Sequence, residues 1–148
     1  MAKSTIVTRT TLAFVIALAT SAFPLAINAR DDVPTDISSL ENPVTLEDTE
    51  IRYYTRQFKG KCARCHGPDG KGGSEPVEPP LVPPADLTDA AYMTTRTDGQ
   101  LFFQIMQGGG ERCAMPAFGP ESDHAWSEEK VWHMVAYVRR FAAGGGTP

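Results

Sequence analysis

Five consecutive residues carry the most specific chemistry in the chain: Cys62-Ala63-Arg64-Cys65-His66. This is the C-x-x-C-H pattern of covalent c-type haem attachment. Each thiol can add across a haem vinyl group to form a thioether. The two-residue gap lets the sulfurs reach neighbouring vinyl groups, and the following imidazole then faces the iron as proximal ligand. A thioredoxin-like dithiol would need a β-α-β pattern around it, and none is visible. A zinc site would need four ligands, and there is no second C-x-x-C.

A six-coordinate electron-transfer iron needs a second axial ligand. Met115 is the leading candidate, in the loop Cys113-Ala114-Met115-Pro116. A loop lets the thioether approach the opposite haem face, Pro116 stiffens that approach, and a soft thioether favours ferrous iron. Met106 and Met134 fall on apolar helical faces, where methionine usually packs a core. Met93 sits beside Tyr92 at a helix end and could line a pocket. Either His124 or His133 could instead pair with His66 in a bis-histidine site, and Cys113 or an open sixth position are the remaining alternatives. Cys113 is the third of three cysteines. With Cys62 and Cys65 used for attachment it has no partner in the chain. It reads as a packed thiol, an intermolecular disulfide partner, or a thiolate ligand or redox-sensitive switch.

These groups need elements to hold them. Asp48 or Thr49 can cap a first helix in which Ile51, Tyr54 and Phe58 share a face. Gly60 would stop it near Lys59. Residues 67–84 contain six prolines and four glycines, so no regular element fits there. A long irregular stretch in a small domain is usually functional. A short helix is expected over Thr88–Tyr92. Another, capped by Asp98, carries Leu101, Phe102, Ile105 and Met106 and ends at Gly108-Gly109-Gly110. A second loop spans Glu111–Trp126. Ser127 then caps a final helix with Val131, Met134, Val135 and Val138 on one face. Glu128 and Glu129 begin it and Arg139 and Arg140 end it, matching the helix dipole. No alternating strand pattern appears. The expectation is an all-α domain over 48–143 whose loops are as long as its helices, followed by a flexible tail over 144–148.

Composition bounds the rest. A chain of 148 residues, 41% hydrophobic, suits one domain. A formal charge of −4 argues against nucleic-acid binding. Residues 1–29 read as a cleavable export signal. Lys3 and Arg9 supply its positive start, Leu12–Leu18 its apolar run, and Ile27-Asn28-Ala29 its cleavage site. Cleavage would leave 119 residues with 12 basic and 18 acidic groups, a net charge of −6. It would also leave no membrane span and place the protein in the periplasm. Residues 30–47 read as an N-terminal arm, loosely ordered or wrapping.

The ordered set of motifs resembles the class I mono-haem c-type cytochromes over about Glu50–Phe141. It comprises the helix ending at Phe58, the attachment pentapeptide, and Gly67-Pro68-Asp69-Gly70-Lys71-Gly72. Pro84-Ala85-Asp86-Leu87-Thr88-Asp89 and Asp98-Gly99-Gln100-Leu101-Phe102 follow. Met115-Pro116-Ala117-Phe118 and the Trp132 and Ala136-Tyr137-Val138-Arg139 helix complete it. The resemblance implies a cytochrome c-like fold of three to five helices, with long loops enclosing one haem c bound through Cys62 and Cys65. It implies His66 and Met115 as iron ligands. The His66 N–H would be donated to a backbone carbonyl in the proline loop, with Pro84 or Pro80 as acceptor. Leu87 and Phe118 would line the pocket. Tyr92, Arg96, Arg112 and Trp126 are candidate propionate partners. The chain departs from the family at Tyr53-Tyr54, where many members carry a glycine at the crossing of the terminal helices. A wider helix contact is expected there.

Three functions follow from these readings. The first is a periplasmic electron carrier, either a soluble shuttle or the haem subunit of a dehydrogenase or oxidase complex. Its acidic surface would favour redox partners with basic docking patches. The second is a haem enzyme or gas sensor with a labile sixth ligand. The third is an interaction subunit whose 30–47 arm docks on a partner.

Overall fold

The computed structural model describes residues 33–73, 82–110 and 113–145. The export signal, Pro80, Arg112 and the end of the glycine-rich tail lie outside them. The described residues contain no strand. They form six helical segments: α1 (Thr35–Ser38), α2 (Asp48–Lys61), α3 (Ala63–His66), α4 (Ala90–Thr94), α5 (Asp98–Gln107) and α6 (Glu128–Ala142). The fold is all-α, with one segment more than the expected three to five. The two four-residue segments account for this: α1 is a single turn in the arm, and α3 is the turn that carries the attachment pentapeptide. No helix among the described residues is long and apolar enough to cross a membrane.

Local chemistry sets the helix starts. Glu47 precedes α2 and its N–H donates to Glu50 Oε2 at 3.0 Å. Thr97 precedes α5 in a full capping box: its Oγ1 accepts from Gln100 N at 3.1 Å, and its N–H donates to Gln100 Oε1 at 3.0 Å. Ser127 Oγ accepts from Lys130 N at the start of α6. Asp89 Oδ1 accepts from Tyr92 N at 3.0 Å, so α4 starts two residues later than the sequence suggested. Gly60 does not stop α2. It sits exposed within the last turn, and Cys62 N continues the ladder to Phe58 O at 2.8 Å.

Helix α6 is the spine, packing against α2, α4 and α5. Val131, Met134, Val135, Tyr137, Val138 and Phe141 on it are all buried. Each such apolar side chain stabilises the fold by about 1.5–3 kcal/mol. Rings make much of the α2–α6 contact. Phe58 lies 4.8 Å from Phe141 and 5.8 Å from Tyr137, and Tyr54 stacks on His133 at 5.4 Å. At the centre Tyr137 donates to the buried Thr55 hydroxyl at 3.2 Å. Burial, helped by the nearby Tyr53 and by Glu50 and Glu129, pushes the Tyr54 phenol up to about 12.

The arm requires a correction. Residues 33–47 are not loose. α1 packs on α5, and Gly99 brings the α5 backbone so close that a Cβ there would lie on the Ile37 carbonyl. Thr97 Oγ1 donates to Ser38 O at 2.6 Å, Gly99 N to Leu40 O at 3.1 Å and Asn42 Nδ2 to Trp132 O at 3.0 Å. The polar residues that suggested disorder are the ones that tie the arm down. The arm packs on its own domain, while Leu40 stays exposed. A charge cluster completes the tie. Arg139 pairs with Asp98 at 2.7 Å and donates to the carbonyls of Met93 and Arg96, while Asn42 N donates to Asp98 at 3.3 Å.

Candidate functional site

One cleft gathers the chemistry-bearing residues of the sequence. Its lining includes Cys62, Cys65 and His66 on one side and Met115 on the other. Its empty space, counted out to and including the open mouth, is about 1220 Å³.

The His66 wall follows directly from α2. Cys62 is the hinge between α2 and α3, so Cys65 N and His66 N both return to its carbonyl, at 3.1 and 2.9 Å. One helical turn therefore sets the spacing of the two thiols and the imidazole. Gly67 ends α3 with φ 77° and ψ 151°, a conformation essentially restricted to glycine. The chain then folds back: Gly72 N donates to His66 O at 2.7 Å, and Leu87 N to Gly70 O at 2.7 Å. The second bond lays residues 82–87 along the glycine loop and fixes their register. In that register His66 Nδ1 donates to Ala85 O at 3.1 Å. The expected acceptors were Pro84 and Pro80. Pro80 lies outside the described residues. The Pro84 carbonyl is turned onto Gly72, where a Cβ would meet it at 2.8 Å, so the next carbonyl serves the imidazole. Pro84 still lines the cleft. Asp86 steadies the following turn by accepting from Thr88 N and Oγ1 at 2.8 and 2.6 Å, and these bonds hold its carboxyl below the usual range.

Burial pushes the Cys62 thiol up to about 12, with Cys65 adding to the rise. That direction is opposite to the lowered thiol pKa of an exchanging dithiol.

The Met115 wall hangs from the end of α5. Gly108 ends that helix with φ 72° and ψ −162°, again the glycine-only region. Gly109 N donates to Met115 O at 2.9 Å, Phe118 N to Ile105 O and Gly119 N to Met106 O, both at 3.0 Å. The strap is zipped onto the last carbonyls of α5. Beyond it, Phe118 stacks on His124 at 4.4 Å and lies 4.8 Å from Trp126. Leu87, Phe118 and Trp126 are buried and line the cleft.

The alternatives fall in different places. Met134 lines the cleft from α6, where it is fully buried, while Met93 and Met106 are not among the lining residues. His124 and His133 do not line it either. His124 is stacked on Phe118, and His133 lies against Tyr54 and 3.4 Å from Glu50. Cys113 does line it, packed on Gly109. Of the suggested propionate partners, Tyr92, Arg96 and Trp126 line the cleft and Arg112 lies outside the described residues. The reading of the sequence missed Ala85, Gln104 and Val33, all of which meet this site. Gln104 alone left a trace, as a polar residue on the Leu101–Ile105 face of α5.

The donor set fits haem. Among the described residues no group of three or more His, Cys, Asp or Glu could hold a bare ion. Two thiols, an imidazole and a thioether suit an iron carried in a thioether-bound macrocycle. Arg96 Nε is buried without a hydrogen-bond partner among the described residues, and its guanidinium lies over the Tyr92 ring at 5.2 Å. A buried donor of that kind suits an acidic ligand group.

The family model of cytochrome C oxidase, cbb3-type, subunit III matches residues 50–138. The chain belongs to this family of c-type cytochromes. The match starts inside α2 and ends inside α6, so it takes in both walls of the cleft. As a c-type cytochrome the chain is an electron carrier, and its family implies covalently bound haem c. Comparison with curated proteins finds no match.

Proposed function

We propose that this cytochrome is an exported one-electron carrier that holds a single haem c through Cys62 and Cys65. The observation that carries the reading is the meeting of Cys62, Cys65, His66 and Met115 in one cleft. When bound, haem supplies a ferric–ferrous couple. His66 would ligate through Nε2, since Nδ1 is engaged by Ala85 O. Met115 Sδ would supply a second iron ligand. Arg96 and Tyr92 would receive the propionates, and Leu87, Phe118 and Trp126 would keep water away.

Residues 1–29 direct export, and the haem-bearing domain acts in the periplasm. Its net charge of −6 after cleavage favours partners with basic docking patches. The family's name makes an oxidase complex the leading partner, with a dehydrogenase or a soluble shuttle role as the other settings.

The test is the intact mass of the protein recovered from a periplasm competent for haem attachment. The expected mass is that of residues 30–148 plus one haem, and the reduced protein is expected to bind carbon monoxide slowly or not at all. A haem-free mature chain, or immediate carbon monoxide binding, defeats the reading.

A further inference from the structure

Gln104 stands on the last turn of α5, half-buried and lining the cleft. Its carboxamide Nε2 lies 2.8 Å from Gly108 O and 3.9 Å from Met115 Sδ. A primary amide nitrogen has two hydrogens and a thioether sulfur accepts weakly. The Gly108 carbonyl decides which way the amide faces, because turning Oε1 toward it would set two acceptors against each other. One hydrogen is thereby committed to Gly108 O, and the other is available to the sulfur. The same residue also accepts from Gly108 N at 3.0 Å through its main-chain carbonyl. Gln104 thus grips the start of the strap at two points while presenting an N–H to the sulfur of the residue that faces the iron.

We infer that Gln104 is a positioning residue that holds Met115 for ligation and raises the reduction potential by donating to its sulfur. The inference rests on Met115 being the sixth ligand. A donor dipole with its positive end toward the ligand favours the state that has gained an electron. It also keeps the thioether in one orientation, which disfavours its loss from iron.

Redox titration of the holoprotein and its Gln104→Leu and Gln104→Glu variants tests this at neutral pH. Gln104→Leu is expected to shift the reduction equilibrium toward ferric by about threefold, or about 28 mV for one electron. Gln104→Glu places a negative charge at the same point and is expected to shift it further in the same direction. A role limited to the Gly108 bond would lower the denaturation midpoint of Gln104→Leu and leave its potential in place, so the neutral variant decides the question and Gln104→Glu only calibrates the effect of a charge at this point. An unmoved potential in Gln104→Leu, with the methionine-to-iron absorption band present in the wild type and that variant, overturns the role of Gln104 alone. Absence of that band from the wild-type protein overturns Met115 ligation, and this inference with it.

Discussion

The two walls of the cleft are built on opposite principles. The His66 wall is continuous with α2: one carbonyl, that of Cys62, anchors both Cys65 and His66, and the loop beyond is closed by main-chain bonds of 2.7 Å. The Met115 wall is a strap hung on the end of α5, and its contact with the sulfur comes from the side chain of Gln104. Both begin at a helix ended by a glycine in the same backbone region, Gly67 and Gly108. The similarity stops there. The proposed attachment residues and His66 share one helical turn, whereas Met115 sits in a strap outside it that is bonded to the end of α5. Local stability differs between such elements across many folds, and the less buried, loop-borne elements open first.

Removing the thiols breaks the comparison most severely. Cys62→Ser with Cys65→Ser is expected to abolish covalent haem, read as loss of haem staining on a denaturing gel. The Met115 wall offers nothing that could replace the thioethers. Next in size is Gly108→Ala. A non-glycine residue in that region costs on the order of 1–3 kcal/mol, and the new Cβ would meet Met115 O at 2.6 Å and Ala117 N at 2.7 Å. The expected result is loss of the methionine-to-iron band with haem still attached. Gly67→Ala incurs a similar backbone cost on the other wall and is expected to reduce the yield of haem-bearing protein instead. If Gly67→Ala and Gly108→Ala gave the same phenotype, the walls would not be independent.

Two smaller effects concern α2, the buttress of the His66 wall. The Tyr54 phenol is raised from 10 to about 12 in the folded protein. Folding therefore favours the protonated form, and the stability linked to it is fully present below pH 10. It is lost as pH rises from 10 toward 12. Denaturant titrations across that range are expected to show a falling midpoint that Tyr54→Phe flattens. Gly60→Ala is the smallest change. The position is exposed and helical with nothing within 4 Å of a new Cβ. A stabilisation of about 0.5–1 kcal/mol is expected, with no change in the spectrum.

The sequence made one wall more legible than the other. The pentapeptide announced attachment because thioether chemistry requires cysteines at that spacing. Ser127 and the apolar stripe from Val131 to Val138 announced α6 for equally local reasons. The acceptor of the His66 N–H was not legible, because every residue carries a carbonyl and only the pairing of Leu87 with Gly70 selects that of Ala85. The arm was misjudged since Asn42 and Ser38 look solvated until Trp132 and Thr97 are seen to meet them. Gly60 suggests a stop by residue type alone, while the Cys62–Phe58 bond carries the helix past it. Long-range hydrogen bonds decide the imidazole acceptor and the arm, whereas a local bond one helical turn long decides Gly60.

The most direct test of a cleft with a fixed His66 wall and a detachable Met115 wall is the visible spectrum of the oxidised holoprotein beside that of Met115→Ala. The account predicts a weak methionine-to-iron band at the red edge in the wild type. In Met115→Ala the band should be absent, haem should remain covalently bound, and carbon monoxide should bind rapidly to the reduced form. A band that survives in Met115→Ala, or covalent haem that disappears with the methionine, would contradict it.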